Sequence, residues 1–318
     1  LLPFAQVTTE VPAASAAAMS RLRLYVTALG LLANLAPALA GPVEEGFVAY
    51  RNGEFEKALK LWRPFAENGN AKAQAFLGDL YFLGQGAKRD AKQGVFWFRK
   101  AAEKGNAAAA YNLGFACEKG QGVAKSPEEA ARWYRKAAEA GHAQAALALA
   151  RLYRTGQGVD PDVAAAAKWT ETAATAGDPE AQDELGSLYR LGQGVQPDLA
   201  QARAWYAKAA AQGYAPAENN LGMMYRLGAG GPVDFERAAG WLHRAADHGV
   251  AAAKYNVGSM YALGQGSNKD PIEAYVWYQA AIAGGDDGIK AQAQKALALL
   301  KAQMSETDLA EARTRAAH

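Results

Sequence analysis

The sequence predicts an all-α chain: a solenoid of six 36-residue helix-pair repeats with capping helices at both ends. Three observations carry this. A Gly-x-Gly recurs at Gly84/Gly86, Gly120/Gly122, Gly156/Gly158, Gly192/Gly194, Gly228/Gly230 and Gly264/Gly266, every step being 36 residues. Trp97, Trp133, Trp169, Trp205, Trp241 and Trp277 keep the same step, as do Ala73, Ala109, Ala145, Ala181, Ala217 and Ala253. Within a unit the apolar residues fall on one helical face, as with Ala73, Leu77, Leu80 and Tyr81. A fixed period of this length marks a solenoid or propeller, and the helical spacing selects the solenoid. A chain of 318 residues would otherwise suggest two domains. The unbroken period makes it one elongated array.

The elements follow in order. Residues 1–18 read as an over-extended N-terminus, because a natural start falls at Met19. Residues 19–40 read as an export signal. Arg21 and Arg23 are its positive region, Leu24 to Leu35 its apolar run, and Ala38-Leu39-Ala40 its cleavage site. The apolar run is shorter than the ~20 residues a spanning helix needs, so no stable membrane insertion is expected after cleavage. These features predict a periplasmic or secreted bacterial protein that begins at Gly41. No cysteine follows the run to carry a lipid. Residues 41–69, with Phe55, Leu59, Trp62 and Phe65, read as a degenerate cap repeat whose second helix Pro64 bends or shortens.

Residues 70–285 hold the six repeats. The first helix of each runs from about the recurrent alanine to the Gly-x-Gly, which ends it. Inside it stands Gly78, Gly114, Gly186, Gly222 or Gly258, with Ala150 once. Glycine there costs ~1 kcal/mol against alanine, so its recurrence predicts a close backbone crossing. Asp90, Ser126, Asp162, Asp198, Asp234 and Asp270 share one slot and predict the N-caps of the second helices. In Ser126-Pro127-Glu128-Glu129 and Asp270-Pro271-Ile272-Glu273 a glutamate is placed to close a capping box. The tryptophan is expected to fill the gap between repeats. Residues 286–318 form C-terminal capping helices, Lys290 to Met304 and a last one opened by Ser305.

Composition narrows the chemistry. Lys+Arg 34 against Asp+Glu 32 gives +2, and without residues 1–40 the balance is 32 to 31. Neither figure gives a basis for nucleic-acid binding. Cys117, the only cysteine, takes the slot held elsewhere by Tyr81, Tyr153, Tyr189, Tyr225 and Tyr261, and reads as a small buried hydrophobe. His243 and His248 point to different faces of one helix, and Asp286-Asp287 reads as a turn or cap. No catalytic residue, metal site or cofactor is assigned.

The unit Ala-x-x-x-Leu-Gly-x-Leu-Tyr-x-x-Gly-x-Gly-Val, then Ala-x-x-Trp-Tyr-x-x-Ala-Ala-x-x-Gly, resembles the Sel-one-like repeat family, a cousin of the tetratricopeptide repeat. Ala109–Gly141 and Ala181–Gly213 are its best copies. The resemblance implies a right-handed α/α superhelix that holds protein partners along a curved surface. For exported bacterial members it implies scaffolds or adaptors in envelope signalling or assembly, with an envelope sensor protein among the partners. A cysteine-rich branch is associated with β-lactam hydrolysis. This chain lacks the paired cysteines of that branch, so a β-lactam or peptidoglycan-directed hydrolase is only an alternative. A glycan-binding module in polysaccharide assembly is another.

Two rows of varying side chains are the candidate partner-binding residues. Arg154, Arg190 and Arg226 share one slot in successive repeats, and Arg151 lies one turn from Arg154. As forks they could read an acidic segment or an anionic glycan, and as a solvated row they would pair locally. Asn112, Asn220 and Asn256 share a second slot, with Tyr111 and Tyr255 beside two of them. Their amides could hold a peptide backbone or link one repeat to the next.

Overall fold

The computed structural model describes residues 41–317. The export signal expected at 19–40 and the segment before it lie outside the described residues, as does His318. Among the described residues there are 16 helices and no strand. The leading pair is α1 (Pro42–Arg51) and α2 (Phe55–Glu67). The six repeats follow as α3 (Ala71–Leu83) with α4 (Ala91–Glu103), α5 (Ala107–Lys119) with α6 (Pro127–Glu139), and α7 (Ala143–Thr155) with α8 (Val163–Thr175). Then come α9 (Pro179–Leu191) with α10 (Leu199–Ala211), α11 (Ala215–Leu227) with α12 (Phe235–Asp247), and α13 (Ala251–Leu263) with α14 (Pro271–Gly284). The array ends with α15 (Asp287–Lys301) and α16 (Glu306–Ala316). No described helix is long and apolar enough to cross a membrane.

Local chemistry sets each boundary. The slot of Asp90, Ser126, Asp162, Asp198, Asp234 and Asp270 caps all six second helices, each side chain accepting from a backbone N–H two or three residues on. The capping box does not close as expected. Glu129 turns away to pair with Arg132 at 2.6 Å, and Glu273 pairs with Arg315 at 2.9 Å. The N-cap N–H groups they would have met already donate to the Cys117 and Tyr261 carbonyls, at 2.9 and 3.0 Å. The first helices begin two residues before the recurrent alanine, because Asn70, Asn106, His142 and Asp178 cap them. The first glycine of each Gly-x-Gly is left-handed and ends the helix. Pro64 does not shorten α2, which runs on to Glu67.

The recurrent glycine marks the crossing of the two helices. A Cβ on Gly114 would stand 2.7 Å from the Tyr134 ring, and one on Gly78 would stand 2.5 Å from Phe98. Tyr206, Leu242 and Tyr278 fill the same place against Gly186, Gly222 and Gly258. Where the glycine becomes Ala150, the slot facing it holds the smaller Thr170, wholly buried. The deepest anchor is therefore the residue after the tryptophan. Trp97, Trp133 and Trp205 are buried at the core margin, whereas Trp169, Trp241 and Trp277 are half-buried. Their slot lies one position round the helix, and Lys100, Lys136, Lys208 and Arg244 cover four of the rings as cations.

The leading pair repeats this design with a shorter connection. Gly46 lies against Trp62 as Gly78 lies against Phe98, and Trp62 donates to the Val43 carbonyl at 2.9 Å. At the other end α16 packs on α14, and Asp286 caps α15 by accepting from Ile289. Cys117 is buried, and burial pushes its thiol up.

Candidate interaction surface

Within the six repeats, successive first helices touch at α3–α5 and α11–α13, while no pair of second helices there packs as closely. Closer spacing on one side of a stack makes that side the inner side of its curve. The sequence-predicted residues all lie on these first helices.

Their side chains sew one repeat to the next. Asn112 donates to Asp79 at 2.9 Å, Asn220 to Asp183 at 2.8 Å, and Asn256 to Asn219 at 3.0 Å. Arg151 donates to Glu118 at 2.6 Å, and Arg154 pairs with Glu184. Arg226 donates to Ser259 and to Gln265, each at 2.8 Å. Arg190 instead turns to Tyr206 of its own repeat, 3.4 Å from the hydroxyl. Tyr111 packs against Tyr134 and stacks on His142, and Tyr255 packs against Tyr278. The arginine slot thus reaches forward along the array at Arg154 and Arg226. Both of Arg226's bonds go to neutral groups.

Burial sets the electrostatics. It pushes the Asp79 carboxyl up to about 7. It does the same to Asp183, reaching about 6 although Asn220 donates to it. Burial also acts to raise Glu118, but bonds from Lys119, Arg151 and Tyr134 outweigh it and leave this carboxyl below its ordinary value. His142 falls to about 4 through burial. Glu218, wholly buried, is reached by Arg244 at 2.8 Å and His248 at 2.9 Å. The same slots one repeat earlier hold a neutral pair, Gln212 donating to Gln182 at 2.9 Å. Sequence reading passed over Glu118 and Glu218; Glu118 stands in the slot of Arg154, Arg190 and Arg226, and that reversal of charge was the available signal.

Asp79 gives a pH prediction. Its folded value lies above the unfolded one, so the stability it lends is full below about pH 4 and lost as pH rises through about 7. Asp79→Asn should therefore raise stability at pH 8 by about 1–2 kcal/mol and have little effect at pH 4. Urea unfolding at the two pH values checks it, and an equal effect at both would remove the buried carboxyl as its cause.

Among the described residues no group of three His, Cys, Asp or Glu side chains could hold a metal ion. Arg135 donates to the Tyr153 hydroxyl at 2.6 Å beside Asp160 and Pro161, lining a shallow open groove.

Stacked helix pairs with a continuous inner row and side-chain links between repeats define an α-solenoid of the kind that binds other proteins. The chain belongs to the Sel1 repeat family, whose model matches residues 44–70, 71–106, 107–142, 143–178, 179–214, 215–250 and 251–286. The leading helix pair is thus counted as a copy, although it lacks the Gly-x-Gly. A Sel1 repeat protein from Oxalobacter formigenes is similar at 34% identity and a TM-score of 0.65, over 76% of this chain and 97% of that one. A protective antigen of uropathogenic Escherichia coli with an SLR fold is 26% identical, over 86% of this chain and 74% of its own, with a TM-score of 0.39. No curated protein matches. Proteins built from Sel1 repeats are generally protein-interaction scaffolds and typically non-catalytic.

Proposed function

We propose that this chain is an exported scaffold that holds a protein partner, one carrying an acidic segment, along the inner row of its first helices in the bacterial envelope. The observation that supports it most is the variation of the inner slots against an invariant frame. Arg154, Arg190 and Arg226 keep their cations in one slot of three successive repeats. Arg226 donates to neutral Ser259 and Gln265, so neither of these partners cancels its charge. The export signal at 19–40 supports the location. An envelope sensor or assembly protein is the partner class this reading favours.

In-cell crosslinking and recovery of the tagged protein from the envelope fraction tests it, beside a variant carrying Arg154→Gln, Arg190→Gln and Arg226→Gln with unchanged helical content. A partner recovered with the wild type and at least tenfold depleted with the variant is the expected result. Recovery of the same partner from both would remove the arginine slot from the account. Recovery of none would overturn the scaffold.

A further inference from the structure

The large hydrophobic side chains exposed among the described residues are not scattered. Six of the nine, Val163, Leu191, Leu199, Leu227, Val233 and Leu263, fall on the edge where each first helix passes into its second. Leu191, Leu227 and Leu263 occupy one slot of three successive repeats and are 52%, 49% and 63% exposed. The edge is continuous, because each loop rests on the start of the preceding second helix. A Cβ on Gly194 would stand 2.1 Å from the Val163 carbonyl oxygen, and one on Gly230 would stand 2.2 Å from that of Leu199. Exposed apolar residues gathered into one patch mark a contact surface.

Arg203 and Arg237 stand in the middle of this edge, among the capping carboxylates Asp198, Asp234 and Asp270, whose side chains accept from backbone N–H groups. The Arg203 guanidinium lies 3.9 Å from the centroid of the Tyr225 ring, and that of Arg237 lies 5.6 Å from it. Arg237 also donates to the Tyr225 hydroxyl at 3.4 Å. Arg203 reaches the loop after Leu227, where a Cβ on Gly231 would meet its guanidinium at 2.3 Å. Two guanidinium groups from neighbouring repeats thus converge on a neutral phenol, with Asp234 paired to Arg237 at 3.3 Å and Glu236 beside it. Paired guanidiniums suit a carboxylate through bidentate hydrogen bonds.

We propose that this loop edge docks a partner peptide that is both apolar and acidic. Its large side chains rest on Leu191, Leu227 and Leu263, and one of its carboxylates sits between Arg203 and Arg237. The proposal rests on the scaffold reading and names the class of segment that such a scaffold would hold.

Three fluorescein-labelled 15-residue peptides test it by polarisation against the full chain: one of leucine and aspartate, one with lysine for aspartate, one with serine for leucine. The leucine–aspartate peptide is expected to bind at least tenfold more tightly than the other two. That preference should fall at least tenfold in a variant with Leu191→Ser, Leu227→Ser and Leu263→Ser, and again in one with Arg203→Gln and Arg237→Gln. The substituted leucines are exposed, so unchanged helical content and unfolding midpoint verify the fold. Equal binding of the lysine peptide, no binding of any peptide, or preference retained in either variant would overturn the proposal. Binding of anionic vesicles in place of the peptide would overturn it in favour of a lipid surface. An envelope partner lost with the Arg154, Arg190 and Arg226 variant but retained with the leucine variant would sink this edge while leaving the scaffold standing.

Discussion

Gly158→Ala is expected to cost about 3–5 kcal/mol, whereas Gly141→Ala costs about 1–2 kcal/mol. Both glycines are left-handed, at φ +71° and +86°, so both substitutions carry the same backbone penalty. Their surroundings differ. A Cβ on Gly158 would stand 2.2 Å from the Pro127 carbonyl carbon and 2.3 Å from its oxygen, while nothing lies within 4 Å of one on Gly141. Backbone of the preceding repeat cannot step aside as a flexible side chain does, so the stacking of α7 and its loop on α6 must open. Urea unfolding followed by circular dichroism compares the two variants, and equal midpoints would contradict the account of the second glycine as a stacking contact.

Tyr134→Ala is expected to cost about 3–5 kcal/mol, and Trp169→Ala roughly half as much. Tyr134 is 1% exposed, lies on Gly114 and donates to Glu118 at 2.9 Å. Its removal leaves a cavity at the helix crossing and withdraws one of the bonds that hold a buried carboxylate ionised. Tyr134→Phe separates these two effects, keeping the ring and losing about 1–2 kcal/mol with the hydroxyl. Trp169 is half-buried and leaves a void open to solvent. Thermal unfolding of the three variants gives the order. A larger loss at Trp169 would make the tryptophan, and not the residue after it, the main anchor.

Much of this architecture can be read from the sequence because a 36-residue period repeats each local decision six times. The slot of Asp90, the Gly-x-Gly and the crossing glycine each obey short-range rules of caps, left-handed turns and helix contact. Where another group takes the donor first, the expectation fails, as when the Ser126 N–H donates to the Cys117 carbonyl and Glu129 pairs with Arg132. The tryptophan packs against the preceding repeat as expected, but the deeper anchor beside it was passed over, because Phe98, Tyr134, Leu242 and Thr170 share burial and not identity. The interaction surface was legible only as slots. That Asn112 meets Asp79, and Arg151 meets Glu118, is a contact between residues 33 apart that needs the stacking distance of two helices. The apolar loop edge was missed for a related reason: Leu191, Leu227 and Leu263 sit beside helical core positions, and only their exposure tells them apart.

Hydrogen exchange of the full chain, with and without the partner recovered by crosslinking, tests the central claim most directly. Binding along the inner row predicts slowed exchange in the last turns of α7, α9, α11 and α13, with α8, α10 and α12 little changed beyond their first turns. Protection confined to the middle of those second helices, or none at all, would contradict the assignment of the first helices as the surface that holds a partner.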